Sequence, residues 1–125
     1  MTYTTNQFTK PATATSALPQ SVNAEAMSVW SEIVAPKWLR FRHNFSVGAA
    51  LHSRRALEAL RPVPGARVLD IGCGTGETVL ELADLVGPSG HVVGQDCVPE
   101  FLELARLDAR ENGVGNIDFV LGDAQ

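Results

Sequence analysis

No apolar run in this sequence approaches the roughly 20 residues that a membrane-spanning helix needs, so no span is expected among its 125 residues. The opening stretch also lacks the marks of a secretory leader, because residues 1–20 have neither a basic n-region nor an apolar core. That stretch is rich in Thr and free of acids, but the first arginine is Arg40, which argues against an Arg-rich transit peptide. Residues 1–20 are expected to be a flexible tail. Cysteine is scarce too. Cys73 and Cys97 are too few for a disulfide framework, so a reducing, cytoplasmic setting is expected. Two thiols alone do not make a zinc site, and His43, His52 and His91 stand at no useful ligand spacing. No metal is expected, and the histidines read as surface or packing residues.

What is present is ordinary globular composition, with 45% hydrophobic and 19% charged residues. The length allows one domain, but falls short of the size at which α/β enzymes usually complete a sheet. The net charge of −4 is unevenly spread. Residues 37–61 carry six basic side chains against Glu58, whereas residues 62–125 carry three arginines against eleven acids. A basic stretch beside an acidic half can greet an anionic ligand. Its basic residues are interrupted by apolar ones at helical spacing, so packing on the acidic half is the favoured reading. Nucleic acid is not indicated.

Periodicity divides the chain at one clear place. From Ser21, a helical pattern of Met27, Trp30 and Val34 is expected to end at Pro36. A second apolar-basic stretch holds Trp38, Phe41 and Phe45, readable as ordinary helix packing or as a lid over a substrate. A third runs from Val47 to Leu60, with Ala50, Leu51, Ala56, Leu57 and Leu60 expected to share one face. The breaker cluster Arg61-Pro62-Val63-Pro64-Gly65 follows. Beyond it the pattern alternates. Ala66–Ile71 reads as a buried strand, Glu77–Val86 as a helix, His91–Asp96 as a second strand, and a helix opens at Pro99 and closes at Asn112-Gly113. Ile117–Leu121 reads as a third strand. Strands alternating with helices at this spacing predict an α/β fold with parallel strands and right-handed crossovers.

The chemistry concentrates in Val68-Leu69-Asp70-Ile71-Gly72-Cys73-Gly74-Thr75-Gly76-Glu77. Alternate glycines after a strand let the backbone turn sharply and approach a ligand, and the next helix offers unpaired N–H groups there. A dinucleotide loop, G-x-G-x-x-G/A, would place Gly or Ala where Glu77 stands, and its pyrophosphate would meet Asp70 and Glu77. The spacing argues against NAD.

Three segments together carry a resemblance. VLDIGCGTGETVLELA (Val68–Ala83) looks like the first motif of class I S-adenosylmethionine-dependent methyltransferases; GHVVGQDCVPEFLELAR (Gly90–Arg106) resembles the second and IDFVLGDAQ (Ile117–Gln125) the third. The likeness is greatest to the small-molecule group that includes the ubiquinone/menaquinone-biosynthesis enzymes. It is strong over residues 62–125 and weak over 23–61, where such enzymes carry helices that cover the cofactor. It implies the first half of a Rossmann-like methyltransferase fold, a helical cap over residues 21–61, S-adenosylmethionine as cofactor and a small-molecule acceptor. Residue by residue, it implies that Asp96 accepts the ribose hydroxyls, that Cys97 lies against the adenine and that Asp123 and the Ala124 N–H meet its edge. Asp70 would face the methionine amino group, the backbone of Gly72, Cys73 and Gly74 would line the methionine moiety, and Gly76 would permit close packing. One departure is Val98, where the family commonly has a capping Ser or Thr; the missing cap costs about 0.5–2 kcal/mol.

The family's later strands and loops, which chiefly supply substrate contacts and any general base, have no counterpart after Leu121. No catalytic residue is therefore assigned. The expectation is a piece of a longer enzyme, inactive alone and open to oligomerisation. Half of an enzyme completed by another chain, and a non-catalytic nucleotide-binding module, stand as alternatives.

Overall fold

A three-stranded parallel sheet forms where the alternating pattern begins. The computed structural model of the chain describes residues 23–124, so the tail expected over residues 1–20 lies outside the described residues. The elements are α1 (Ala24–Ser28), a π-helical segment (Val29–Val34), α2 (Ala35–Arg40), α3 (Arg42–Leu60), β1 (Arg67–Ile71), α4 (Glu77–Val86), β2 (His91–Asp96), α5 (Pro99–Glu111) and β3 (Ile117–Leu121). The strand order is β1-β2-β3, with Leu69 opposite Val93 and Gly94 opposite Phe119. This is the expected Rossmann-like arrangement. No helix among the described residues is long and apolar enough to cross a membrane.

Local chemistry explains the sheet half. In α4, Val79, Leu82, Ala83 and Val86 recur at helical spacing and are buried. Gly76 opens that helix and Gly87 ends it, both with positive φ. Pro99 occupies the first turn of α5, where a missing N–H costs nothing, and Phe101, Leu102, Ala105 and Ala109 face inward. One core joins α4 and Leu102 of α5 to Val68, Val92, Ile117 and Phe119, so both helices cover the same face of the sheet. The other face is less covered among the described residues. Leu69 is 59% exposed and Ile71 61% exposed. The strand expected at Ala66–Ile71 starts at Arg67 and stands at the edge of the described sheet, with Val68 rather than Leu69 or Ile71 on the packed face.

The helices before the sheet depart further from expectation. Pro36 does not end the first run. It sits in the first turn of α2, behind a π-helical segment whose wider turn removes the i−4 clash that a proline ring would otherwise meet. The apolar face expected on α3 is not buried either. Ala56 is exposed, Leu51 is 71% exposed and Leu60 60% exposed, whereas Leu57 packs on the core; the side chain of Ala50 lies outside the described residues. The half-buried line of α3 is instead Arg42, Ser46, Ser53 and Leu57, at steps of four and seven. Its first two members, Arg42 and Ser46, meet Glu77 in the first turn of α4, and its last, Leu57, reaches the apolar core.

Gly76 shows what close packing demands here. Its φ is +85°, and a Cβ there would stand 2.8 Å from the Cβ of Ala105 and 3.3 Å from the Phe119 ring. Gly113 has φ +68° but nothing within 4 Å. Gly76→Ala should therefore cost about 2–4 kcal/mol, strain and overlap together, against about 1 kcal/mol for Gly113→Ala. Urea unfolding of the two variants measures the difference; equal losses would mean that the Ala105 contact is unimportant.

Candidate functional site

The carboxyl ends of β1, β2 and β3 meet at a cleft of about 360 Å³. Its floor begins with the glycine loop. Gly72 N–H and Cys73 N–H both donate to the Gln95 carbonyl, at 2.8 and 3.0 Å, which turns the chain back immediately after β1. Gly72 and Gly74 have φ of +75° and +55°, and a Cβ on either would meet nothing within 4 Å. Their backbone is thus presented to open space.

Asp96 closes the end of β2 and is 8% exposed. One of its oxygens accepts from Gly74 N–H at 2.8 Å and the other from Val98 N–H at 2.9 Å. Val98 itself caps α5 with no side-chain hydrogen bond, as its identity predicts. Asp123 and Ala124 reach the same cleft because Gly122 N–H donates to the Asp96 carbonyl at 3.0 Å and the Gln95 amide donates to the Gly122 carbonyl. The Asn23 amide donates to Asp123 at 3.2 Å.

Of the residues singled out by sequence, Gly72, Gly74, Asp96, Cys97, Asp123 and Ala124 line this cleft. Three do not. Gly76 is committed to packing on Ala105 and Phe119. Cys73 is buried, with its sulfur 3.0 Å from where a Cβ of Gly94 would lie. Asp70 lies within β1, and its Oδ2 is buried without a hydrogen-bond partner, the one such side-chain atom among the described residues. Burial, and then the charge of Asp96, push the Asp70 carboxyl above the usual carboxylate range. Sequence reasoning missed Trp30, Ile71, Gln95, Phe101 and Gly122 as lining residues. Trp38 also lines the cleft, and its presence in the aromatic set Trp38, Phe41, Phe45 was the one available signal.

Among the described residues no Lys, Arg or His lines the cleft, while Asp96 and Asp123 do. A pyrophosphate would find carboxylates there, whereas a hydroxylated or cationic group would find acceptors. A second cleft of about 540 Å³ shares Trp38, Gly72 and Gly74 with the first and extends between α3 and α4. A third, of about 690 Å³, lies between the end of α3 and α4 at Arg54, Glu58 and Asp84 and touches none of the loop glycines. Among the described residues no group of His, Cys, Asp and Glu is placed to hold a metal ion.

Comparison with known proteins converges on the same half of the chain. Residues 62–125 match the family described as a methyltransferase domain. Aklanonic acid methyltransferase DauC of Streptomyces sp. (strain C5) is 44% identical over 72 residues, 58% of this chain and 33% of that protein. The ubiquinone/menaquinone biosynthesis C-methyltransferase UbiE of Ectopseudomonas mendocina is 36% identical over 110 residues, 86% of this chain and 43% of that protein. A crystal structure of a SAM-dependent methyltransferase from Aquifex aeolicus superposes with a TM-score of 0.53 at 25% identity, covering 57% of this chain and 38% of that one. The chain therefore spans less than half the length of these relatives.

The two thiols border these features without being activated by them. Burial, then the charges of Asp96 and Asp70, push the Cys73 thiol up to about 12. Burial and Asp96 raise Cys97 as well. Because the thiolate is the reacting form, the folded chain at pH 8 should leave Cys73 unmodified by iodoacetamide over a time that labels it fully in urea. Mass spectrometry of labelled peptides reads this, and rapid native labelling of Cys73 would contradict it.

Proposed function

This chain belongs to the methyltransferase-domain family, and from that premise we propose that it binds S-adenosylmethionine in the cleft at the ends of β1–β3, as the cofactor-binding part of a methyltransferase for a small-molecule acceptor. The observation that carries the proposal is the cleft in which Asp96 and Asp123 stand as acceptors beside the open backbone of Gly72 and Gly74, with the buried, unpartnered oxygen of Asp70 two residues before that loop. A buried acceptor without a donor is costly, and the ammonium of a methionine moiety is a donor of the right charge. The donor set thus fits this cofactor and disfavours a pyrophosphate.

In this reading each residue holds one part of the ligand. Asp96 accepts the ribose hydroxyls; each of its oxygens accepts one backbone N–H in the structure and has a second lone pair to offer. Asp123 and the Ala124 N–H meet the adenine edge, and Cys97 lies along its face. The exposed backbone of Gly72 and Gly74, with that of Cys73, follows the methionine moiety, and Gly76 keeps the loop against α5. Residues 62–125 bind the cofactor, and the helical segment within 21–61 covers it. When bound, S-adenosylmethionine supplies a methyl group activated by its sulfonium, and the protein's part is alignment with the acceptor. A small acceptor is favoured over nucleic acid because Arg42, in the basic segment, is already paired with Glu77 and Asp108. A cytoplasmic setting belongs to the same proposal.

Calorimetry should show S-adenosylhomocysteine binding and no NAD binding; the reverse would overturn the assignment. Asp96→Ala should weaken binding by about 10- to 150-fold, the worth of a charge-assisted contact of roughly 1.5–3 kcal/mol. It should also lower stability, since Gly74 N–H and Val98 N–H lose their acceptor.

Asp70 gives a pH signature of known sign. Only its ionised form pairs with an ammonium, so affinity should fall as pH drops through its raised pKa, beginning above the usual carboxylate range. Stability of the ligand-free chain should run the other way. A carboxyl whose folded pKa is raised contributes stability that is present below its unfolded pKa and lost as pH rises through the folded one. Asp70→Asn should flatten both dependences in parallel titrations of affinity and Tm. A wild-type pH profile in the variant would remove Asp70 from the site.

A further inference from the structure

Among the described residues, helices α1–α3 contribute one buried apolar side chain, Ala35. It packs with Trp38 and Leu39 of α2 on Val98 and Phe101. Leu57 adds a partly buried contact near the far end of α3. So small an apolar contact holds a helical segment weakly, and the rest of the attachment is polar. One link joins the Asn23 amide to Asp123, and a cluster of others forms at Glu77. Glu77 Oε1 accepts from Arg42 Nε at 3.1 Å and from Ser46 Oγ at 3.0 Å, while Oε2 accepts from Thr75 Oγ1 at 2.7 Å. The Arg42 guanidinium continues to Asp108 on α5. Burial alone would raise the Glu77 carboxyl, but these donors and its own N–H outweigh it and hold it below its usual range.

The latch is connected to the cleft by contact. Ser46 follows Phe45, and Phe45 stacks on Trp38 with ring centroids 4.4 Å apart and planes 6° from parallel. Trp38 and Trp30, the two tryptophans of the chain, both line the cleft. We propose that Glu77 is a positioning residue which, through Arg42 and Ser46, holds α1–α3 closed over the cofactor cleft and so sets how long the cofactor stays bound. The part concerning residence time rests on the cleft being the S-adenosylmethionine site; the closure itself does not.

Both parts are measurable on the 125-residue chain. Acrylamide quenching of Trp30 and Trp38 in the ligand-free protein reads closure, and stopped-flow fluorescence reads S-adenosylhomocysteine dissociation. Glu77→Ala and Arg42→Ala should each raise the quenching constant and speed dissociation on the order of tenfold, the scale of one charge-assisted hydrogen bond. The double variant should do less than the sum of the two, because both changes remove the same Arg42–Glu77 contact. If circular dichroism shows that Glu77→Ala loses helix, Glu77→Gln takes its place; it keeps the size of the side chain and removes the ion pair. Unchanged quenching in the folded variants, a lowered Tm without greater tryptophan access, or additive effects would overturn the latch. Failure of the unmutated chain to bind S-adenosylhomocysteine would overturn the proposed function, and the quenching measurement would still decide closure.

Discussion

The Asp96 carboxylate fastens two turns that come from different strands. One oxygen holds Gly74 N–H in the loop after β1, the other holds Val98 N–H in the turn after β2, and its own carbonyl receives Gly122 N–H after β3. Three strand ends are thereby tied to one residue. The carboxylate is nearly buried, and a buried charge is tolerated only when such donors surround it. The open backbone of Gly72 and Gly74 is the other side of the same arrangement, because the loop can face the cleft only while its N–H groups are held from behind.

Close approach is the second constraint, and it is met by removing side chains. A Cβ at Gly76 would meet Ala105, and one at Gly94 would stand 2.9 Å from the Phe119 ring and 3.0 Å from the Cys73 sulfur. The helices can therefore lie tight on one face of the sheet and carry the loop with them. Burial at this junction also governs acidity. Cys73 and Asp70 are both shifted toward their neutral forms, by desolvation first and by the neighbouring carboxylate second.

The helices before the sheet are joined by different physics. Their half-buried line on α3 is Arg42, Ser46, Ser53 and Leu57, so polar contacts to α4 do most of what apolar contacts do between α4 and the sheet. Arg42 also sets one cation of the basic segment against Glu77 and Asp108 of the acidic half.

From β1 onward the elements were legible in the sequence because their signals are local. Gly87-Pro88, Pro99 and Asn112-Gly113 punctuate apolar periods of unmistakable length, and the expected bounds of α4, β2 and β3 are those observed. The glycine spacing likewise marked the loop, since positive φ at alternate positions follows from glycine itself. Only the tertiary structure decided the rest. The helical path through Pro36 depends on a π-helical turn that no periodicity announces. The exposed face of α3, the unpartnered oxygen of Asp70, the inward turn of Cys73 and the arrival of Trp30 at the cleft all depend on contacts between residues distant in sequence. Hydrophobic pattern records whether a residue will leave water, but not which surface will meet it.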